Sequence, residues 1–104
     1  MDNKNLRMIG LALRAGKVAL GEAKVLDCIR TNKACLAICA CDASDNTKKR
    51  IKNASEYYNV KYIEISSKEE LGRFTGREIS AVLAIMDENF AKSVLSDWFL
   101  RKEG

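Results

Sequence analysis

Two short and almost wholly apolar runs, CLAICA at 35–40 and AVLAIM at 81–86, constrain this chain more than anything else in it. CLAICA is too short for a helix and lies between two helical patterns, so it reads as a buried strand, and AVLAIM, nearly all apolar, reads as a central strand covered on both faces. Stretches with helical spacing flank them. A doubly covered strand needs helices above and below it. The fold class expected is therefore α/β: a three-layer α-β-α sandwich around a small mixed sheet of about four strands.

The helical stretches are legible from their apolar stripes. Leu6, Ile9, Gly10 and Leu13 recur on one face, which predicts a helix from about Asn3 to Arg14 with Gly16 just beyond it as the stop. KVAL follows as a short extended piece, and Val25, Leu26 and Ile29 predict a second helix from Gly21 to about Thr31. Asp42, Ala43, Ser44 and Asp45 offer N-cap candidates for NTKKRIKNASEYY, striped by Ile51, Ala54 and Tyr58. VKYIEI has the β-branched and aromatic content of a strand, and Ser67 with Glu70 forms a capping-box pattern at the start of KEELGR. Phe90, Val94, Leu95 and Trp98 stripe a last helix. A chain of 104 residues buries one core, and no proline, low-complexity segment or internal period marks a linker, so a single domain over 1–104 is expected.

Composition excludes several functional classes. The longest apolar run stops at Asp87, far short of the roughly 20 residues a spanning helix needs, so no membrane partner is expected. Basic residues run through the apolar part of MDNKNLRMIGLALRAGK, unlike a secretory signal, and a cytoplasmic location is expected. Cys28, Cys35, Cys39 and Cys41 contain no C-x-x-C pair, and the chain has no histidine to complete a zinc set, so no metal is assigned. Cys39 reads as a small buried hydrophobe, with a C-x-C redox pair to Cys41 as the alternative. Residues 1–50 carry 10 Lys and Arg against 5 Asp and Glu, whereas residues 51–104 carry 8 against 9. A basic half on a small domain suits a polyanionic partner and equally suits a solvated surface.

Catalysis finds little support. Without histidine, acid–base chemistry near neutral pH would need a strongly shifted carboxyl, amine or thiol. Neither a dinucleotide fingerprint nor a phosphate loop is present, so no catalytic residue, cofactor or small-molecule substrate is assigned. Asp42, after a predicted strand, is the best isolated catalytic candidate, and it is equally a turn and capping residue.

Two segments carry the binding signal. In RAGKVALGEAK, Arg14, Lys17 and Lys24 surround a glycine, Gly21, that opens a helix whose first N–H groups lack intrahelical partners. In LGRFTGREIS, Arg73, Phe74, Thr75, Gly76, Arg77 and Ile79 mix basic and apolar groups around two glycines, a combination suited to unpaired bases. The bland readings are a helix stop followed by a helix start in the first, and Phe74 as a core residue in the second. Lys48, Lys49, Arg50 and Lys52 spread round a helical turn and read as a solvated face.

LALRAGKVALGEAKVLDCIR, KACLAICACDAS, NVKYIEI, KEELGRFTG and AVLAIMD, in that order, resemble the kink-turn-binding ribosomal protein superfamily of the archaeal seven-Ae and eukaryotic thirty-e large-subunit proteins, and especially its small bacterial members. The resemblance covers about Leu6 to Phe90. It implies that the second helix enters the groove beside sheared G·A pairs of a kink-turn in ribosomal or messenger RNA, with the ribosome as a possible setting. It also implies that the loop before the last strand covers bulged nucleotides. Carried over by position, Gly21 matches the helix-opening glycine, Glu22, Ala23 and Lys24 fall at the next contacts, and Ile79 matches an apolar residue against a loop base. The fuller motif is Gly-x-Asn-Glu-x-x-Lys, and here Ala23 replaces Asn, Lys24 replaces Glu and Asp27 replaces Lys. Lys24 retains donors suited to guanine O6 and N7.

Overall fold

The computed structural model describes residues 4–103. The chain runs α1 (Lys4–Arg14), β1 (Val18–Leu20), α2 (Glu22–Arg30), β2 (Leu36–Cys39), α3 (Asp45–Tyr57), β3 (Lys61–Glu64), α4 (Lys68–Thr75), β4 (Val82–Ile85) and α5 (Glu88–Glu103). The expected first residue of α1, Asn3, lies outside the described residues.

The sheet has four strands in the order β1-β4-β2-β3. Strand β4 is antiparallel to both β1 and β2, while β2 and β3 are parallel, so the sheet is mixed as expected. A parallel pair needs a long crossover, and α3 supplies it. Every residue of β2 and β4 is buried, in keeping with their central positions and unbroken apolar sequence. The edge strand β3 alternates instead, with Ile63 turned inward and Lys61 exposed. Helices α1, α4 and α5 pack together on one side and α2 with α3 on the other, giving the α-β-α sandwich. Leu6, Ile9, Val25, Ile29, Ile51, Leu71 and Val94 carry the helical stripes into the core.

The helix ends follow local chemistry. Gly16 takes φ 73° after α1, and the N–H groups of Gly16 and Lys17 donate to the carbonyls of Leu13 and Ala12. Of the cap candidates before α3, Ser44 is the one used: its hydroxyl accepts from the Thr47 N–H at 3.2 Å. Ser67 caps α4 by accepting from the Glu70 N–H at 3.1 Å. Helix α4 runs two residues past the expected KEELGR. The first residue able to take a left-handed cap without strain is Gly76, which does so at φ 73°.

Candidate nucleic-acid interface

One edge of the sheet gathers the features that the sequence separates. Strand β1 ends there, β4 begins there, and the Gly21 N–H donates to the Val82 carbonyl at 3.3 Å. The start of α2 and the segment 76–81 are therefore neighbours. Gly21 is the N-cap of α2 at φ 95°, ψ 150°, a conformation that side-chain-bearing residues rarely adopt. A Cβ there would meet nothing within 4 Å, so the approach to the helix end is open. The first helical donor to find a backbone acceptor in the turn is Val25, bonded to the Gly21 carbonyl at 3.0 Å. Helix geometry leaves the N–H groups of Glu22, Ala23 and Lys24 without intrahelical acceptors, with the positive end of the helix dipole behind them. The side chains of Ala23 and Lys24 are exposed.

The loop beside them is held tightly by its own helix. The N–H groups of Gly76 and Arg77 both converge on the Gly72 carbonyl, and the Ser80 N–H donates to the Lys68 carbonyl at 2.9 Å. The chain thus doubles back along α4, and it can do so because residue 72 has no side chain. A Cβ on Gly72 would stand 2.7 Å from Ile79 Cα and 2.8 Å from the carbonyl oxygens of Arg77 and Glu78. That close approach sets Ile79 outward, 58% exposed, an unusual cost for an isoleucine. Arg77 is exposed beside it.

Not every residue singled out from the sequence reaches this edge. Lys17 is exposed, but its carbonyl accepts from the Met86 N–H, at the opposite end of β1 and β4 from Gly21. Three strand residues, a span of four steps, separate the two by about 13 Å. Thr75 is buried, and its hydroxyl donates back to the carbonyls of Leu71 and Gly72 at 2.7 and 3.2 Å. Arg14, Arg73 and Phe74 line a groove between α1 and α4, on the other side of the sheet from α2. Phe74 is half-buried against the margin of the core, so its packing role and its availability at the groove coexist.

Glu22 has a different partner from the one its position suggests. Its carboxylate accepts from the Arg50 guanidinium and, at 3.2 Å, from the Thr47 hydroxyl, which ties the start of α2 to α3. The Arg50 hydrogen bond is the main cause that holds this carboxyl below its ordinary range, against an opposing desolvation. Arg50 in turn keeps the anionic charge from dominating the helix end. Lys48 is likewise engaged, donating to the Cys41 carbonyl at 2.7 Å and standing 3.4 Å from Glu64. Lys49 and Lys52 are exposed. Asp42 accepts from the Lys68 N–H at 2.8 Å, which makes it a cap of α4. Cys39 is fully buried, and burial pushes its thiol up to about 11. Among the described residues no three His, Cys, Asp or Glu side chains converge as a metal set, and no helix is long and apolar enough to cross a membrane.

Residues missed in the sequence are those that hold the edge in shape. Gly72 sits inside a helical pattern where glycine is unfavourable by about 1 kcal/mol relative to alanine, and that cost and its place in KEELGRFTG mark it without showing what it packs against. Thr47 and Arg50 give none, since their bonds to Glu22 span two helices.

A helix start with unpaired N–H groups and a supported loop on one edge of an α/β sandwich form a candidate binding surface rather than a reaction centre. The model of the Ribosomal protein L7Ae/L30e/S12e/Gadd45 family matches residues 4–95, and the chain belongs to that family. It is 43% identical over 89 residues to the RNA-binding protein YlxQ of Enterococcus faecium, covering 86% of this chain and 85% of that one. With the RNA-binding protein YlxQ of Bacillus subtilis (strain 168) it shares 40% over 89 residues, 86% and 89% of the two chains. Among solved structures it is similar to a protein of unknown function from Bacillus halodurans C, with TM-score 0.88 and 26% identity over 91% of this chain and 96% of that one. The Giardia lamblia 15.5kD RNA binding protein shares the fold, with TM-score 0.76 and 22% identity over 92% and 86%. The family and these YlxQ relatives are binding proteins, and the chain is not an enzyme.

Proposed function

We propose that this chain binds structured RNA and recognises a kink-turn-like bend, in ribosomal or messenger RNA, through the start of α2 and the loop 76–81. The observation that carries the reading is the joining of an open, glycine-capped helix N-terminus to a loop presenting Arg77 and an exposed Ile79. The helix end offers N–H donors and a partial positive charge to phosphate or base edges. Ile79 offers apolar contact to an unstacked base, and Lys24 and Arg77 add the salt-dependent attraction. Binding of this kind is catalysis-free: the protein stabilises the bent form of the RNA over the extended form and shifts its population. The relatives named for RNA binding support the same reading.

The test is a fluorescence-transfer titration of end-labelled RNA. A kink-turn duplex is expected to close on addition of protein and to bind at least tenfold more tightly than a straight duplex of the same length. Equal affinity for the two refutes recognition of the bend. Binding of neither, with retained capture of a protein partner at high salt, favours an adaptor that kept the fold and lost the RNA surface. Ala23, Lys24 and Asp27, which replace the fuller motif, are the observation behind that second reading.

A further inference from the structure

The groove between α1 and α4 is a separate surface. Gly10, Leu11 and Phe74 form its apolar floor, and Arg7, Arg14 and Arg73 stand at its rim. Its volume is about 390 Å³, at the small end of the roughly 300–1,000 Å³ typical of ligand clefts and sufficient for one nucleotide. Leu11 is 48% exposed there, a large apolar side chain facing water in the middle of a helix. Gly10 allows the two helices to meet closely, since a Cβ on it would lie 3.3 Å from the Phe74 carbonyl oxygen. Arg14 and Arg73 are exposed, and the acidic group beside Arg73, Glu69, is 3.7 Å away and 80% exposed. Such a pair is weak and gives way to a stronger anion.

We propose that this groove is a second RNA subsite, which takes an unpaired strand leaving the bent RNA, with bases on Leu11 and Phe74 and phosphates at Arg14 and Arg73. The inference rests on the RNA-binding reading of α2 and the loop and extends it to the opposite layer of the sandwich. Two features select RNA over an acidic protein segment. An apolar floor between guanidinium groups is the arrangement that holds single strands, with bases stacked or packed and the backbone neutralised. The groove also lies next to the loop: α4 ends at Thr75 and the Arg77 N–H donates to the Gly72 carbonyl, so Arg73 and Arg77 stand about one helical turn apart and a strand passing Arg77 can reach Arg73. An acidic segment would use the arginines but would have no such path.

The experiment compares two RNAs by fluorescence anisotropy: a blunt kink-turn duplex, and the same duplex with a single-stranded extension of six uridines. The wild-type protein is expected to gain about tenfold in affinity from the extension. An Arg14→Gln/Arg73→Gln double variant, altered only at exposed positions and without adding negative charge, is expected to bind the blunt RNA within about threefold of wild type and to gain nothing from the extension. No gain in the wild type, or an undiminished gain in the variant, overturns the subsite. If the wild type binds neither RNA, the reading of α2 and the loop has failed, and the groove is decided by an amide NMR titration with hexauridylate alone. Shifts confined to Gly10, Leu11, Arg73 and Phe74 uphold it. Shifts there with an acidic peptide and none with hexauridylate overturn it in favour of a protein partner.

Discussion

Replacing Gly72 by alanine tests the link between packing and the proposed interface most directly. Residue 72 lies in α4 with ordinary helical dihedrals, so alanine is not opposed by the backbone conformation. Helix propensity alone would favour it by about 1 kcal/mol. Against that stand three approaches under 3.0 Å, all to backbone atoms: Ile79 Cα at 2.7 Å and the carbonyl oxygens of Arg77 and Glu78 at 2.8 Å. A flexible side chain can swing aside, but here the returning loop itself must move, and overpacking of this kind costs about 1–3 kcal/mol. Moving it loosens the hydrogen bond from Arg77 N–H to the Gly72 carbonyl, now 2.8 Å. The net expectation is a loss of up to about 2 kcal/mol in urea denaturation, or up to about 16 °C in Tm for a domain of this size. Ile79 shifts with the loop, so affinity for a kink-turn RNA should fall about tenfold, roughly 1.4 kcal/mol. Gly10→Ala is the control. Its single close approach is 3.3 Å, to the Phe74 carbonyl oxygen, so the propensity gain is opposed only by a small adjustment and stability should be unchanged or higher by up to about 1 kcal/mol. Gly72→Ala as stable as wild type, with unchanged amide shifts over 77–80, would refute the steric account of the loop.

Four further outcomes follow from the same geometry. Lys24→Glu should weaken RNA binding about tenfold in a gel shift and lower the salt slope by about one, because a cation facing one phosphate is replaced by an anion that repels it. If three phosphates are bound, raising salt from about 50 to 200 mM should weaken wild-type binding about 40-fold, whereas an apolar adaptor interface would barely respond. Because Arg50 lowers the Glu22 carboxyl in the folded state, its stabilising contribution is present above the ordinary value of 4.5 and is lost as pH falls through the depressed folded value. Glu22→Gln should remove that part of the acid sensitivity in denaturation curves taken from pH 6 downward. In the native protein iodoacetamide should modify exposed Cys41 well before Cys39, whose burial and raised thiol value keep it protonated until the fold is opened. Mass-spectrometric mapping distinguishes the two.

The legible part of the fold depends on periodicity and on capping chemistry. CLAICA and AVLAIM are the two central strands because an unbroken apolar run has no face to give to water. Gly16 and Ser67 act where residue type is decisive, at helix ends, and Ser44 is one of four adjacent cap candidates, whereas α4 runs on to Gly76, two residues past its expected end. The proposed interface is only partly legible. Gly21 and Lys24 are local to one helix start, and the order of residues suffices for them. Lys17 looks equivalent to Lys24 by charge and spacing, yet three residues of strand carry it to the far end of the sheet. Thr75 looks like a polar loop residue and is consumed inside the helix it ends.

The sequence by itself determined the layers, the central strands, the helix caps and the family, since each depends on patterns within a few neighbouring residues or on their order along the chain. Tertiary structure alone decided that residue 21 would sit beside residue 82, that Arg50 would occupy the Glu22 carboxylate, and that Arg14 would share a groove with Arg73. Those relations join segments 28 or more residues apart, where nothing in local propensity sets distance or direction. They follow from strand order and from the close approaches that Gly10 and Gly72 permit.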